Sequence, residues 1–233
     1  MKIEYSRLFR DGKPVLIFDD AKREAETDMV IPSELITPEI IRAMRKDAGG
    51  LICTTIKEED AEKIGLPFMD EFYARYLQNG KDAAFSGDLK YDKNSSFTVT
   101  VNHRSTFTGI PDKDRYKTVR EFSQFIPRLL QLNGTASSEF FHEFRVPGHV
   151  NLIIARKDYF SRRKGHTELS TYLVERAGFI PSATIAEMLS DTGNSMTKEE
   201  AMDYAKNRGL TFIEGDLIIS GWSDEKGHGN RGV

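Results

Sequence analysis

Two short apolar runs enclose a strongly charged segment near the start of the chain: Val15-Leu16-Ile17-Phe18-Asp19-Asp20-Ala21-Lys22-Arg23-Glu24-Ala25-Glu26-Thr27-Asp28-Met29-Val30-Ile31. The apolar runs are typical of short buried strands. Residues 19–28 between them contain five carboxylates and two cations, a concentration of charge that a stable core does not require. If this segment is extended, Glu24, Glu26 and Asp28 share a face, because alternate side chains of a strand point the same way.

Three carboxylates on one face repel one another, and two environments relieve that repulsion. One is a bound ligand, either a polyhydroxylated substrate held by a nearby cation or a divalent cation such as Mg2+, which proteins hold with one or two carboxylates plus water and substrate oxygens. The other is solvent, since most charge runs are solvated loops. The segment is therefore a candidate site whose alternative is an exposed charged loop.

The rest of the chain alternates between helix and strand patterns. A helix begins at Thr37-Pro38-Glu39, with an N-cap threonine and a proline at the first helical position, and ends at Gly49-Gly50. The capping box Thr197-Lys198-Glu199-Glu200 begins another helix, which ends at Gly209. Further strands are predicted at residues 51–56, 96–102, 149–154, 183–189 and 210–213, and further helices at 57–78 with a break at 65–67, at 113–131, at 167–176 and, as a short final helix, after 213.

This alternation predicts a mixed β-sheet covered by helices, in the α/β or α+β class. No linker of domain-boundary quality interrupts it, so we expect a single domain over residues 1–222. Residues 223–233 are predicted to be a flexible tail, and residues 79–94, which are rich in glycine, lysine and aspartate, a flexible loop.

Three local patterns carry more specific expectations. In the strand at 96–102, Phe97, Val99 and Val101 alternate with polar residues and are expected to face a core. Val146-Pro147-Gly148 predicts a tight turn before the next strand. Residues 133–138 are polar and predict a break between elements.

The bulk composition restricts the partners and the compartment. The chain has 233 residues, with 33 Lys+Arg against 36 Asp+Glu and a net charge of -3, so it lacks the basic field typical of proteins that bind nucleic acid or anionic membranes. No apolar run approaches the roughly 20 residues that span a bilayer. The single cysteine, Cys53, is expected to be a small buried hydrophobe. We expect a soluble, cytoplasmic protein with no nucleic-acid or membrane partner.

A second candidate site is Arg163-Lys164-Gly165-His166-Thr167, directly before a predicted helix. Backbone N–H groups at a helix N-terminus suit a phosphate, arginine can grip it bidentately, and Thr167 can cap the helix or donate its hydroxyl. The alternative is an ordinary surface turn. A neutral His166 is also a potential ligand for a divalent metal.

Two further residues are candidates for acid–base chemistry. His149, at the start of a predicted strand, is either structural or a general acid/base, because imidazole titrates near neutral pH. Glu187 interrupts an apolar run, and a buried acid is costly unless it is paired, protonated or used. His103, His142 and His228 are expected to face solvent or to be structural. The basic, aromatic-containing residues 156–164 are a weaker candidate for nucleic-acid contact.

Together these segments resemble one enzyme family, the 3,4-dihydroxy-2-butanone 4-phosphate synthases of riboflavin biosynthesis, in a single-function form similar to the archaeal one. The resemblance spans nearly the whole chain and rests on six blocks in the same order: residues 19–30, Ala48-Gly49-Gly50-Leu51-Ile52-Cys53, Thr106-Phe107-Thr108-Gly109, Arg145-Val146-Pro147-Gly148-His149-Val150, Arg163-Lys164-Gly165-His166-Thr167-Glu168 and Ala186-Glu187-Met188. It implies a compact α+β fold and a homodimer with active sites near the subunit interface. It also implies conversion of D-ribulose 5-phosphate to L-3,4-dihydroxy-2-butanone 4-phosphate and formate with Mg2+ or Mn2+.

The resemblance also implies roles for individual residues. Glu24 and His166 match the family's metal ligands, and His149 and Glu187 match residues needed for catalysis. The other matching positions are substrate contacts at Arg23, Asp28, Arg163, Lys164, Gly165, His166 and Thr167, and positions that line the site at Asp19, Glu26, Tyr91 and Thr108. The sequence departs from the family at Ala25, where Gly or Asn is expected and a methyl group restricts positive φ.

The residue types suit the implied chemistry. A metal held by Glu24 and His166 could act as a Lewis acid on adjacent substrate oxygens, while His149 and Glu187 move protons during enolisation, dehydration, rearrangement and loss of formate. The loop near 79–95 could close over the substrate. Two alternatives remain at this level: a metal-dependent isomerase or aldolase acting on a related sugar phosphate, and a non-catalytic module that binds nucleotides or RNA through residues 156–164.

Overall fold

The structure, a computed structural model, describes residues 3–76, 92 and 94–229. The predicted loop at 79–94 lies almost entirely outside these residues. The described strands are β1 (Val15–Phe18), β2 (Thr27–Pro32), β3 (Cys53–Lys57), β4 (Phe97–His103), β5 (Phe144–Ala155), β6 (Ala183–Glu187) and β7 (Thr211–Glu214). The described helices are α1 (Pro38–Ala43), α2 (Glu58–Ile64), α3 (Met69–Tyr76), α4 (Asp112–Arg128), α5 (Ala136–Glu143), α6 (His166–Arg176), α7 (Lys198–Arg208) and α8 (Gly215–Gly229).

The described strands form one mixed sheet in the order β4-β5-β3-β6-β2-β1-β7. Strand β3 runs parallel to β5 and β1 parallel to β7, while the other neighbours are antiparallel. Helices cover both faces of this sheet, so the predicted mixed sheet of an α+β protein is confirmed. None of the described helices combines the length and the apolar character needed to cross a membrane.

Alternating strand residues supply two separate cores, because successive side chains of a strand point to opposite faces. One core packs against α6 and α8 and includes Val15, Ile17, Val30, Ile153 and Ile185. The other packs against α1, α2, α4, α5 and α7 and includes Leu16, Met29, Ile31, Leu152 and Ile154. The candidate site described below lies on the α6 face, where the N-terminus of α6 meets the ends of β2 and β6.

Local end signals in the sequence place several helix boundaries correctly. The Thr37 hydroxyl accepts a hydrogen bond from the Ile40 N–H and begins α1, which continues as a π-helical turn, Met44–Ala48, to Gly49. The predicted capping box at Thr197 is present, and α7 ends at Gly209 in the left-handed conformation. These signals succeed because each acts within a few residues of the boundary.

Four local expectations are wrong in whole or in part. The predicted break at 133–138 is present at residues 133–135, but residues 136–138 belong to α5, because Phe140 is fully buried among other phenylalanines. The predicted turn at 146–148 lies inside β5, with a cis peptide bond before Pro147. Phe97 is 38% exposed rather than in a core, since β4 is an edge strand with irregular pairing between Phe97 and Thr100.

The fourth concerns the C-terminal segment. Helix α8 is long and includes residues 223–229, which the sequence assigned to the tail. Glu225 holds this part of the helix against α6, because its carboxylate pairs with Arg176 at 2.7 Å and accepts a hydrogen bond from the Tyr172 hydroxyl at 3.1 Å. The predicted tail therefore begins as a docked helix.

Candidate active site

The acidic segment folds as a turn around one buried carboxylate. Asp19, 3% exposed, accepts hydrogen bonds from the Glu24 N–H at 3.2 Å, the Glu26 N–H at 3.1 Å and the Arg23 guanidinium at 3.0 Å. The expected extended face of Glu24, Glu26 and Asp28 is therefore wrong, because the chain turns at residues 21–24 before β2 begins. Ala25 closes the turn with a positive φ of 54°, so the departure from the family does not prevent this conformation.

The turn brings Glu24 against the first residue of α6. His166 Nδ1 lies 3.2 Å from Glu24 Oε2, and His166 Nε2 lies 3.7 Å from Asp28 Oδ1. Both His166 Nε2 and Asp28 Oδ1 are buried and have no hydrogen-bond partner among the described residues. Ligand atoms of Asp19, Glu24 and His166 all lie within 4.8 Å of one another. This cluster has the donor atoms and the spacing of a cation site.

Burial and the close approach of these charged groups also shift the pKa values of Asp28 and His166. Burial raises the pKa of Asp28 to about 8, and the nearby Glu187 carboxylate adds to the rise. Burial alone lowers the pKa of an imidazole, but the carboxylates of Asp28 and Glu24 outweigh it and raise the pKa of His166 to about 9. The site thus disfavours additional negative charge on its buried acids and favours a positive charge on His166.

Glu187 completes the acidic wall from the neighbouring strand. It pairs directly with Asp28 across β6 and β2, and its Oε2 accepts a hydrogen bond from the Leu51 N–H at 2.8 Å. A Cβ at Gly50 would lie 2.3 Å from this carboxylate, so only glycine permits the approach. Burial, with a contribution from Glu26, raises the pKa of Glu187, as the sequence suggested for an acid in an apolar run.

Arg163 supplies a cation to the same cavity. Its Nη1 donates to Glu168 Oε2 at 2.9 Å and to Thr167 Oγ1 at 3.3 Å, while its Nε donates to Asp92. Gly165, rather than Thr167, is the N-cap of α6. Within the predicted anion-binding segment, Arg163 and Thr167 line the cavity, whereas Lys164 is exposed.

These groups surround a cavity of about 360 Å³. It is lined by Glu24, Asp28, Cys53, Asp92, Asn94, Ser95, Ser96, Phe97, Ile153, Arg163, His166, Thr167, Ile185 and Glu187. Cys53 is buried as predicted, but it also lines this cavity, and burial raises the pKa of its thiol well above the usual value. The structure therefore assembles most of the predicted acidic, imidazole and guanidinium groups in one place.

His149 and Thr108 lie elsewhere. Val101 and Asn102 of β4 pair with Val150 and Arg145 of β5, so residues 146–149 form a bulge between these pairs. The Asn102 side chain binds both the His149 N–H, at 2.9 Å, and His149 Nδ1, at 3.0 Å, and also donates to the Thr108 carbonyl. His149 is exposed and does not line the cavity. Strand β3 separates its strand from that of Glu187, a distance of roughly 10 Å between backbones.

Two further residues that the sequence predicted to line the site are Glu26 and Tyr91. Glu26 lies beside the cavity and accepts a hydrogen bond from the Ser195 hydroxyl at 2.6 Å. Tyr91 lies outside the described residues. The sequence did not predict the contacts of Asp92, Asn102 and Glu168. Of these three, only Glu168 could have been identified, because it directly follows the candidate segment Arg163–Thr167.

Fold and site together define an α+β protein whose cavity is lined by carboxylates, an imidazole and a guanidinium group. The chain belongs to the 3,4-dihydroxy-2-butanone 4-phosphate synthase family of riboflavin biosynthesis, whose profile matches residues 4–220. The resemblance inferred from the sequence is therefore confirmed.

Relatives and solved structures agree with this assignment. The chain is 44% identical over 220 residues to the 3,4-dihydroxy-2-butanone 4-phosphate synthase of Archaeoglobus fulgidus, covering 93% of this chain and 91% of that protein. It is 32% identical to the riboflavin biosynthesis protein RibBA of Thermotoga maritima, covering 92% of this chain and 46% of that protein. A crystal structure of 3,4-dihydroxy-2-butanone 4-phosphate synthase in complex with two magnesium ions superimposes with a TM-score of 0.72 at 26% identity, covering 94% of each chain.

Proposed function

We propose that this protein is a lyase that converts D-ribulose 5-phosphate to L-3,4-dihydroxy-2-butanone 4-phosphate and formate in the cytoplasm. The observation that carries the proposal is the 3.2 Å contact between Glu24 and His166, two residues 142 positions apart that the family resemblance names as ligands of one metal ion. The guanidinium of Arg163, which lines the same cavity, supplies the counter-charge for a phosphorylated substrate.

The residues present fit Mg2+ or Mn2+. The unpartnered buried atoms His166 Nε2 and Asp28 Oδ1 are polar groups that lack a partner among the described residues, and the oxygen-rich donor set suits a hard cation. Glu24 and His166 would hold the ion, with Asp19 in reach of the same point. When bound, the ion supplies Lewis-acid stabilisation of negative charge on substrate oxygens.

The protein's own groups divide the remaining work. Arg163 and Thr167 bind the phosphate at the N-terminus of α6. Glu187, whose raised pKa keeps a proton available closer to neutral pH, exchanges protons with the carbon skeleton. The buried side chains of Cys53, Ile153 and Ile185 line the cavity and exclude water from reactive intermediates.

We also propose a homodimer in which His149 reaches the cavity of the second subunit. His149 is exposed and held rigid by Asn102, yet it does not line the cavity of its own chain, and a general acid/base must lie within hydrogen-bond distance of the atom with which it exchanges a proton. Phe107, in the adjoining loop, is 93% exposed, and aromatic side chains are enriched in protein–protein interfaces. A partner subunit would bury Phe107 and deliver His149.

The decisive experiment is incubation with D-ribulose 5-phosphate and Mg2+ while formate is measured. We expect formate release that EDTA abolishes and that Glu24→Ala and His149→Ala each reduce at least about a hundredfold. A metal-dependent isomerase would consume the substrate without formate. A nucleotide- or RNA-binding module would bind its ligand in EDTA and lose it steeply with salt.

The structure favours the enzyme over that module. Two of the cations in residues 156–164 are already paired, because Arg156 lies 3.6 Å from Glu58 and Arg163 lies 2.9 Å from Glu168. Their charge is therefore partly neutralised before any nucleic acid arrives.

A further inference from the structure

One protein carboxylate bridges two guanidinium groups at the edge of the cavity. Asp92 Oδ2 accepts a hydrogen bond from Arg23 Nη2 at 3.0 Å and a second from Arg163 Nε. Asp92 lines the cavity with its side chain 17% exposed. A single oxygen between two cations is the arrangement that an oxygen of a bound anion adopts.

Both guanidinium groups are also fixed by other acids. Arg23 Nη1 pairs with Asp19 at 3.0 Å, and Arg163 Nη1 pairs with Glu168 at 2.9 Å. Glu168 is fully buried, and its second oxygen accepts a hydrogen bond from the Arg156 N–H at 3.0 Å. The orientation of the two arginines therefore does not depend on Asp92 alone, so an anion that replaced its carboxylate would meet the same two cations.

We propose that Asp92 is an internal competitor for the phosphate of the substrate: its carboxylate occupies the oxygen position between Arg23 and Arg163 until a phosphate displaces it. This inference rests on the proposed function, in which Arg163 and Thr167 receive a phosphate. A phosphate carries up to two negative charges and three strong acceptor oxygens, whereas Asp92 offers one charge. Phosphate can bind only to molecules in which the Asp92 carboxylate has left this position. Its apparent affinity is therefore reduced in proportion to the fraction of such molecules.

The test is the binding of inorganic phosphate to the Mg2+-loaded protein, measured by calorimetry at constant ionic strength. Asp92→Asn keeps the size of the side chain and removes its charge, so we expect phosphate to bind about tenfold more tightly. Asp203→Asn is the matched control, because Asp203 is exposed on α7, across the sheet, and its substitution changes the net charge equally. It should leave phosphate binding unchanged.

Two additional measurements separate competition from a structural role. Asp92→Ser should give the same gain, which guards against a folding defect peculiar to asparagine. The KM for D-ribulose 5-phosphate should fall in Asp92→Asn, while the inhibition constant of unphosphorylated D-ribulose stays constant.

Equal or weaker phosphate binding in both Asp92 variants, relative to Asp203→Asn, would overturn the proposal and make Asp92 a positioning residue for the two arginines. Because phosphate binding is measured without turnover, its outcome is independent of formate release. A gain in phosphate affinity without any formate would therefore refute the proposed reaction and leave this inference standing.

Discussion

Ala25 shows how a single residue of the site stores backbone strain. Its φ of 54° places a methyl group in the left-handed region, which costs an L-residue roughly 1–2 kcal/mol. The hydrogen bonds of Asp19 to the Glu24 and Glu26 N–H groups on either side hold it there. The strain thus sits next to the predicted metal ligand.

We predict that Ala25→Gly raises the free energy of unfolding by about 1 kcal/mol, because glycine relieves this strain and loses only part of the gain to its greater freedom when unfolded. Urea titration measures the change. Ala43→Gly is the matched control: Ala43 has an ordinary helical φ of -62°, so the same substitution should cost about 1 kcal/mol. A loss of stability at both positions would show that Ala25 is unstrained.

At the residue scale, chemistry could be predicted from the sequence but contacts could not. Glu24 is identifiable because it belongs to a dense charge cluster between two apolar runs. His166 and Glu187 are identifiable because an imidazole or carboxylate in a glycine-flanked or apolar segment has few structural uses. Asp92 and Asn102 are ordinary polar residues in the sequence. Their importance comes from partners 47 to 71 positions away, which only the folded chain brings together.

Among the elements, the start of α4 is held by a charge cluster with a defined pH dependence. Asp112 accepts two hydrogen bonds from Arg45, both at 2.9 Å, and one from Arg115 at 3.0 Å. The hydrogen bonds from Arg45, followed by those from Arg115, lower the pKa of Asp112 to about 2. The contact joins α4 to the π-helical turn that follows α1.

We predict that Asp112→Asn destabilises the protein at pH 7 and that its difference from wild type shrinks as the pH falls. The pKa of the carboxyl is lower in the folded state, so its contribution is complete above the unfolded value of about 4 and disappears as the pH falls through about 2. Urea midpoints measured between pH 7 and pH 3 test this. Asp203→Asn, on an exposed part of α7, should show no such convergence; parallel curves for both variants would contradict the assignment.

The bulge of β5 depends on a close approach of two strands. A Cβ at Gly148 would lie 2.0 Å from the carbonyl carbon of Val101, which belongs to the backbone of β4 and cannot rotate away. We predict that Gly148→Ala costs about 1–3 kcal/mol, as overpacking does, and also lowers activity by displacing His149.

Gly221→Ala provides the comparison for this substitution. Its Cβ would meet only the hydroxyl end of the flexible Tyr5 side chain, and alanine favours a helix over glycine, so stability should hold or rise. Thermal unfolding and formate release measure the two effects. A Gly148→Ala protein with wild-type stability would show that the strands can separate at no cost.

Helices whose ends are set by local capping signals were predictable, whereas elements that depend on tertiary contacts were not. The Thr37 and Thr197 caps fix α1 and α7 from within one turn. Helix α5 has no such signal and forms because Phe140 stacks on Phe144 with ring centroids 5.0 Å apart. Similarly, nothing local distinguishes a turn at Pro147 from a bulge in a long strand.

At the scale of the whole molecule, the sheet order β4-β5-β3-β6-β2-β1-β7 determines which site residues meet. It places β6 between β3 and β2, so that Glu187 pairs with Asp28 although 159 positions separate them in sequence. Composition and alternation predicted a mixed sheet, but they cannot specify such long-range pairing because each buried strand satisfies the same pattern. The same order leaves β5, with His149, two strands from Glu187.

That separation leads to a test of the proposed dimer. If each cavity takes His149 from the partner subunit, a mixed dimer of Glu24→Ala and His149→Ala chains has one site with both defects and one with neither. Random pairing makes half of the dimers mixed, so a 1:1 co-expressed sample should recover about a quarter of wild-type formate release. Glu24→Ala mixed with Glu187→Ala should recover nothing, because both residues line the same cavity within one chain. Recovery in neither mixture would place His149 in the site of its own subunit.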